Sequence, residues 1–142
     1  MSADPAAGVV AFYRTLSPAR IADLRTHYTE DARFVDPFND VRGHAAIEAI
    51  FDEMYVSLID PRFEVTSVTR GDAEATLIWT MRFRIRRWRP RVERAIAGAS
   101  HLRFAPDGRV CEHRDYWDAA GGLLAVLPLI GPLVRWVMRR VG

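Results

Sequence analysis

The sequence predicts an α+β domain in which a mainly antiparallel sheet wraps a long helix, and a change of period along the chain carries that prediction. Apolar residues recur at helical spacing as far as Leu58, and from Arg62 onward they alternate. With 142 residues, 49% of them hydrophobic, the chain suffices for one core and is too short for two domains of usual size.

The elements follow in order. Val9, Phe12, Tyr13 and Leu16 form the stripe of a first helix, which Ser17-Pro18 ends while offering the next helix an N-cap and a first-turn proline. Ile21, Leu24 and Tyr28 share one stripe of a second helix. A short apolar strand then runs to Asp36, followed by a polar loop ending at Gly43. Ile47, Ile50, Phe51, Met54 and Leu58 mark a third helix with the cleanest periodicity in the chain. Arg70-Gly71-Asp72 and Pro106-Asp107-Gly108 are turns between the strands that follow. On the long strand Leu77, Trp79, Met81, Phe83 and Ile85 face one way, and Thr80, Arg82, Arg84 and Arg86 face the other.

Charge and cysteine content narrow the function classes. The net charge is only +2, and all 20 cations are arginine, so nucleic-acid binding has no global electrostatic support. The arginines from Arg82 to Arg94 fall mostly on an outward strand face and its turn, where Glu93, Glu74, Glu112 or a second subunit would pair with them. The lone Cys111 makes no internal disulfide, and Met1 to Gly8 lack the basic start and apolar core of a signal peptide, so a cytoplasmic location is expected. Leu123 to Val134 is apolar but broken by Pro128, Gly131 and Pro132, and falls short of the ~20 residues of a membrane span.

The candidate chemistry lies at two places. Asp36 ends an apolar strand, where a carboxylate must face water, a partner or a ligand. On the last strand Cys111, His113, Asp115 and Trp117 share one parity. His27, His44 and His101 sit at a helix end, a helix start and on the outer sheet face, and do not enter the site.

The helical pair, Tyr28 to Phe38, Gly43-x-x-Ala46-Ile47 and the closing Arg103-Phe104, Asp107-Gly108-Arg109-Val110 and Tyr116-Trp117 together resemble the nuclear transport factor 2-like superfamily, of the ketosteroid isomerase and SnoaL-like polyketide cyclase type. The resemblance covers roughly residues 6–118. It implies a cone-shaped, strongly curved sheet (a cystatin-like roll), whose open end receives a hydrophobic small molecule, and a homodimer formed through the sheet. It also places Asp36 at the catalytic base. Phe12 falls at the position of the phenol donor, with Tyr13 one residue away, and Ser100 at that of the neutral acid, departures that argue against authentic steroid isomerase activity. Trp117 matches a pocket tryptophan, so His113 and Asp115 point into the cavity, and some SnoaL-like cyclases carry an acid-base aspartate on this strand.

Two function classes stay open. In the first, Asp36 is the base and Asp115, assisted by His113, the acid or second base of a cofactor-independent isomerase or cyclase. Tyr13 and Ser100 then serve as donors, while Trp117, Trp79, Phe83, Phe12 and Met54 serve as walls. In the second the domain is a non-catalytic ligand-binding or interaction module, with Asp36 anchoring its loop and His113 and Asp115 paired to each other or to arginines. No cofactor and no metal is expected, because His113, Asp115 and Asp36 lack a close ligand motif. Residues 1–118 form the expected domain. The 119–142 extension is expected to pack on it or on a dimer partner, with contact of Arg135, Arg139 and Arg140 to a membrane surface as the less favoured alternative.

Overall fold

Asp4 starts the first helix by accepting the Ala6 N–H at 3.1 Å, with Pro5 in the first turn. The computed structural model describes residues 4–119 and 131–141. Helix α1 (Pro5–Arg14) buries Val9, Phe12 and Tyr13, and a 3-10 turn over Pro18–Asp23 leads into the single turn of α2 (Leu24–His27). The stripe of Ile21, Leu24 and Tyr28 predicted one helix reaching Tyr28. Instead the chain becomes extended at Tyr28, which pairs with Val110, and the β-forming pair Tyr28-Thr29 suits that change.

Strand β1 (Tyr28–Val35) is followed by β2 (Asp40–Arg42), α3 (His44–Ser57), β3 (Leu58–Gly71), β4 (Glu74–Ile85), β5 (Arg94–Phe104) and β6 (Val110–Trp117). Helix α4 (Gly131–Val141) is the last described element. The six strands form one sheet in the order β2-β1-β6-β5-β4-β3. Its pairings are antiparallel except β1 with β6, which are parallel. β2 lies in the segment expected to be loop, where Val41 opposite Phe34 is enough to extend the edge.

Helix α3 touches both β1 and β3, although β6, β5 and β4 stand between them in the sheet. In a flat sheet those strands would lie about 19 Å apart, wider than a helix with its side chains at about 10–12 Å. The sheet must therefore curl around the helix, and register shifts in β3 and β1 supply the bends. Ile47 and Phe51 of α3 meet Phe34, Val65, Leu77 and Phe83 in the core. At α1, Arg70 pairs with Asp4 at 2.6 Å and Arg14 donates to the Val65 carbonyl at 2.9 Å, fastening the helix to β3.

Most of the apolar run from Leu123 to Val134 lies outside the described residues. In α4 every side chain that is described is exposed, Leu133, Trp136 and Val137 among them.

Candidate functional site

The inward parity of β6 brings His113 and Asp115 beside Tyr13 of α1, Tyr28 of β1, and Trp79 and Ser100 of β4 and β5. His113 is 2% exposed and stands between them: its Nδ1 lies 2.7 Å from the Tyr28 hydroxyl and its Nε2 lies 2.5 Å from Asp115 Oδ1. The Tyr28 hydroxyl lies 2.6 Å from that of Tyr13. From the other side, Trp79 Nε1–H donates to Ser100 Oγ at 2.8 Å, and Ser100 donates to Asp115 Oδ1 at 2.5 Å.

These bonds close only in one direction. If Nε2–H of His113 donates to Asp115, then Nδ1 accepts from Tyr28 and the Tyr28 oxygen accepts from Tyr13, so every donor has an acceptor. The reverse order leaves the buried Tyr13 O–H with no acceptor within 3.2 Å among the described residues, an omission that costs about 1–3 kcal/mol. All donors thus run toward Asp115 Oδ1, while Oδ2 accepts no bond from any described residue. Burial pushes both phenols well above their usual range, the neighbouring Tyr28 and Asp115 adding to the effect on Tyr13. Both tyrosines therefore stay protonated as donors.

Gly98 makes room for this arrangement. It pairs with Trp79 across the β4–β5 ladder, and a Cβ there would lie 2.4 Å from the indole ring. Only glycine lets the ring lie flat on β5 and reach Ser100.

Asp115 also forms part of the wall of a cavity of about 300 Å³, at the lower end of small-molecule sites. Its wall is mostly apolar and includes Met54, Trp79, Phe83 and Trp117. A second space of about 30 Å³, large enough for a water, adjoins Tyr13, Ser100, His113 and Asp115. At the mouth Phe38 packs edge-to-face on Trp117 with ring centroids 5.6 Å apart. β1 leaves β6 after the Val35–Arg114 pair, whereas β5 stays paired to Trp117, so among the described residues the tip of β6 is paired on one side only. An open groove runs along it past Arg114, Asp115 and Asp36.

Asp36 lines the same cavity, but its carboxylate is turned to its own loop. Oδ1 accepts the backbone N–H of Phe38 at 2.8 Å and of Asn39 at 2.7 Å, and the Asn39 side-chain amide reaches both oxygens. The chain thus brings His113, Asp115, Tyr13 and Ser100 into one cluster, with Asp36 on the shared wall outside it. Phe12 packs between Tyr13 and His27 and forms part of neither cavity wall. His113 and Asp115 acquire no third metal-type ligand among the described residues.

Tyr28 is the site residue that sequence reasoning missed. The available signal was a tyrosine on a core stripe, whose hydroxyl needs a buried partner. Cys111 is half-buried and contacts the Arg103 carbonyl at 3.5 Å. On the outer face Arg82 pairs with Glu64 at 3.0 Å, Arg62 with Glu93, and Arg86 donates to the carbonyls of Val56 and Leu58.

A family profile, the SnoaL-like domain, matches residues 9–113. Among solved structures the chain is similar to a protein with a ketosteroid isomerase-like fold from Catenulispora acidiphila, in complex with trimethylamine, at 16% identity and a TM-score of 0.72, covering 88% of this chain and 92% of that one. It is similar to an NTF2-like protein from Burkholderia pseudomallei at 15% identity and a TM-score of 0.74, covering 84% and 95%. A candidate SnoaL-like polyketide cyclase from a Jannaschia species superposes with a TM-score of 0.73 at 18% identity, covering 90% and 92%. At these identities the likeness is one of fold. No curated protein matches the sequence.

Proposed function

Because the chain belongs to the SnoaL-like domain family, we propose that it binds a largely apolar small molecule carrying a carbonyl group and moves a proton on it, with Asp115 as the base. The observation that supports this reading is the asymmetry of Asp115 on the wall of an apolar cavity: Oδ1 is held by His113 and Ser100, and Oδ2 accepts no bond from any described residue.

In the proposed step Oδ2 takes a proton from the carbon next to the carbonyl, and the C–H electron pair moves into the carbonyl to form an enolate. Return of the proton at another carbon gives an isomer. Attack of the enolate carbon on a second carbonyl forms the C–C bond of a ring, the C=O π electrons becoming an alkoxide that takes the proton back from Asp115. The hydroxyl protons of Tyr13 and Ser100 are already engaged with Tyr28 and Asp115, so these residues position the base. A base without an uncommitted donor suits a substrate whose enolate is stabilised by a second carbonyl of its own. In this reading Asp36 shapes the loop that sets Phe38 against Trp117, and a second copy of the chain packs on the outer sheet face, where Ile78 and Tyr116 are exposed.

The competing reading, a binding module without chemistry, draws on the completeness of the internal hydrogen bonding. Proton exchange of apolar 1,3-diketones in D2O, followed by NMR, separates the two. Catalysed exchange that falls about 10²–10⁴-fold in Asp115→Asn and less than about 10-fold in Asp36→Asn is expected. Exchange unchanged in Asp115→Asn removes it as the base, and binding with no exchange by the wild type favours the binding module.

A further inference from the structure

Arg94 opens β5 on the inner face of the sheet. It pairs with Phe83 across the β4–β5 ladder, and residues directly opposite each other in such a ladder point to the same side. Phe83 lines the large cavity, as does Ile96, the next inward residue along β5. Arg94 thus stands at the rim of that cavity, well away from Asp115, whose partner Ser100 lies roughly 20 Å further along the strand. Its Nε–H is buried and has no hydrogen-bond partner among the described residues. Acids of the neighbouring segments are engaged elsewhere, Glu93 by Arg62 and Glu53 by the Ser57 hydroxyl at 3.1 Å. The other buried side-chain polar atoms without a partner among the described residues are Tyr55 Oη and Trp88 Nε1. Tyr55 is in the last turns of α3 and Trp88 in the turn after β4, segments that Arg86 fastens together by donating its backbone N–H to the Ser57 carbonyl at 3.1 Å. All of these groups can donate, so buried donors at this end of the domain go without a protein acceptor.

We propose that Arg94 is a substrate-binding residue that holds a carboxylate at the far end of the ligand whose carbonyl faces Asp115. The inference rests on reading the cavity as the site of that ligand. Charge sets the ligand's direction. Among the described residues the cavity wall carries Asp36, Glu53 and Asp115 and no cation, so a negative group is repelled from the interior and meets its counter-charge at the rim. One guanidinium balances one negative charge, and its Nε–Nη edge presents two parallel donors to two coplanar oxygens, which suits a carboxylate. The apolar wall between Arg94 and Asp115 takes the body of the molecule, with its acid outward and its carbonyl inward.

Titration calorimetry with a 1,3-diketone that carries a terminal carboxylate on a straight alkyl chain, and with its methyl ester, tests the proposal. The acid is expected to bind about 10–100-fold more tightly than the ester, the range of a charge-assisted hydrogen bond. Arg94→Gln should abolish that preference and leave the affinity for the ester unchanged. Arg91→Gln, in the exposed turn of the same hairpin, should keep the preference. A preference that survives Arg94→Gln, or that Arg91→Gln removes equally, overturns the proposal. If Arg94→Gln fails to fold, Arg94→Lys decides, because it keeps the charge and loses the paired donors: acid binding about 10-fold weaker is expected, and unaltered binding overturns the proposal. Equal binding of acid and ester by the wild type overturns this inference alone, whereas binding of neither compound overturns the reading of the cavity and this inference with it.

Discussion

His113 has one tautomer that satisfies its neighbours, with the proton on Nε2 and a bare Nδ1 facing Tyr28. An ¹⁵N-labelled chain should therefore show a hydrogen-bonded pyridine-type Nδ1, and equal protonation of both ring nitrogens would break the proposed direction of the bonds. Tyr28→Phe removes the nearer donor to that nitrogen, leaving the Tyr13 hydroxyl at 3.4 Å, and should cost about 1–3 kcal/mol, read from urea denaturation. The two phenols also set a pH limit. Both titrate higher in the folded chain than their usual value of 10.0, so the unfolded chain releases their protons first and stability falls as pH rises above that value. Between the unfolded and folded titrations the loss should be about 1.4 kcal/mol per pH unit for each phenol, and Tyr13→Phe should reduce that slope. Asp115 and His113 were legible from parity on one strand. Tyr28 was not, because its place opposite His113 comes from the pairing of β1 with β6, which are distant in the sequence.

At the scale of elements, the 36–39 loop and the β4–β5 ladder carry the positioning. Asp36→Asn exchanges a charged acceptor for a weaker one and should destabilise the fold by about 1 kcal/mol. Gly98→Ala should cost about 1–3 kcal/mol, because the Trp79 ring has to leave β5 and give up Ser100. An altered near-ultraviolet circular dichroism spectrum would report that movement, and an unchanged one would contradict the packing described. The long alternation of β4 was plain in the sequence, as was the periodicity of α3. β2 has three residues, too few to show a period, and α2 shrank to one turn because Tyr28 gained a strand partner.

At the scale of the molecule, every buried core residue among the described residues falls between Ala6 and Val110. The α+β class and the wrapped helix were readable from the change of period. The parallel contact of β1 with β6 was not, since local patterns do not reveal which distant strands become neighbours. That contact has a consequence for biosynthesis. The second strand in the sheet waits for the last strand made, so a ribosome must release nearly all of the domain before the roll can close. Until then the inner edge of β5 lacks its partner, and a nascent chain stalled before residue 110 has neither a finished pocket nor the aspartate that would act in it.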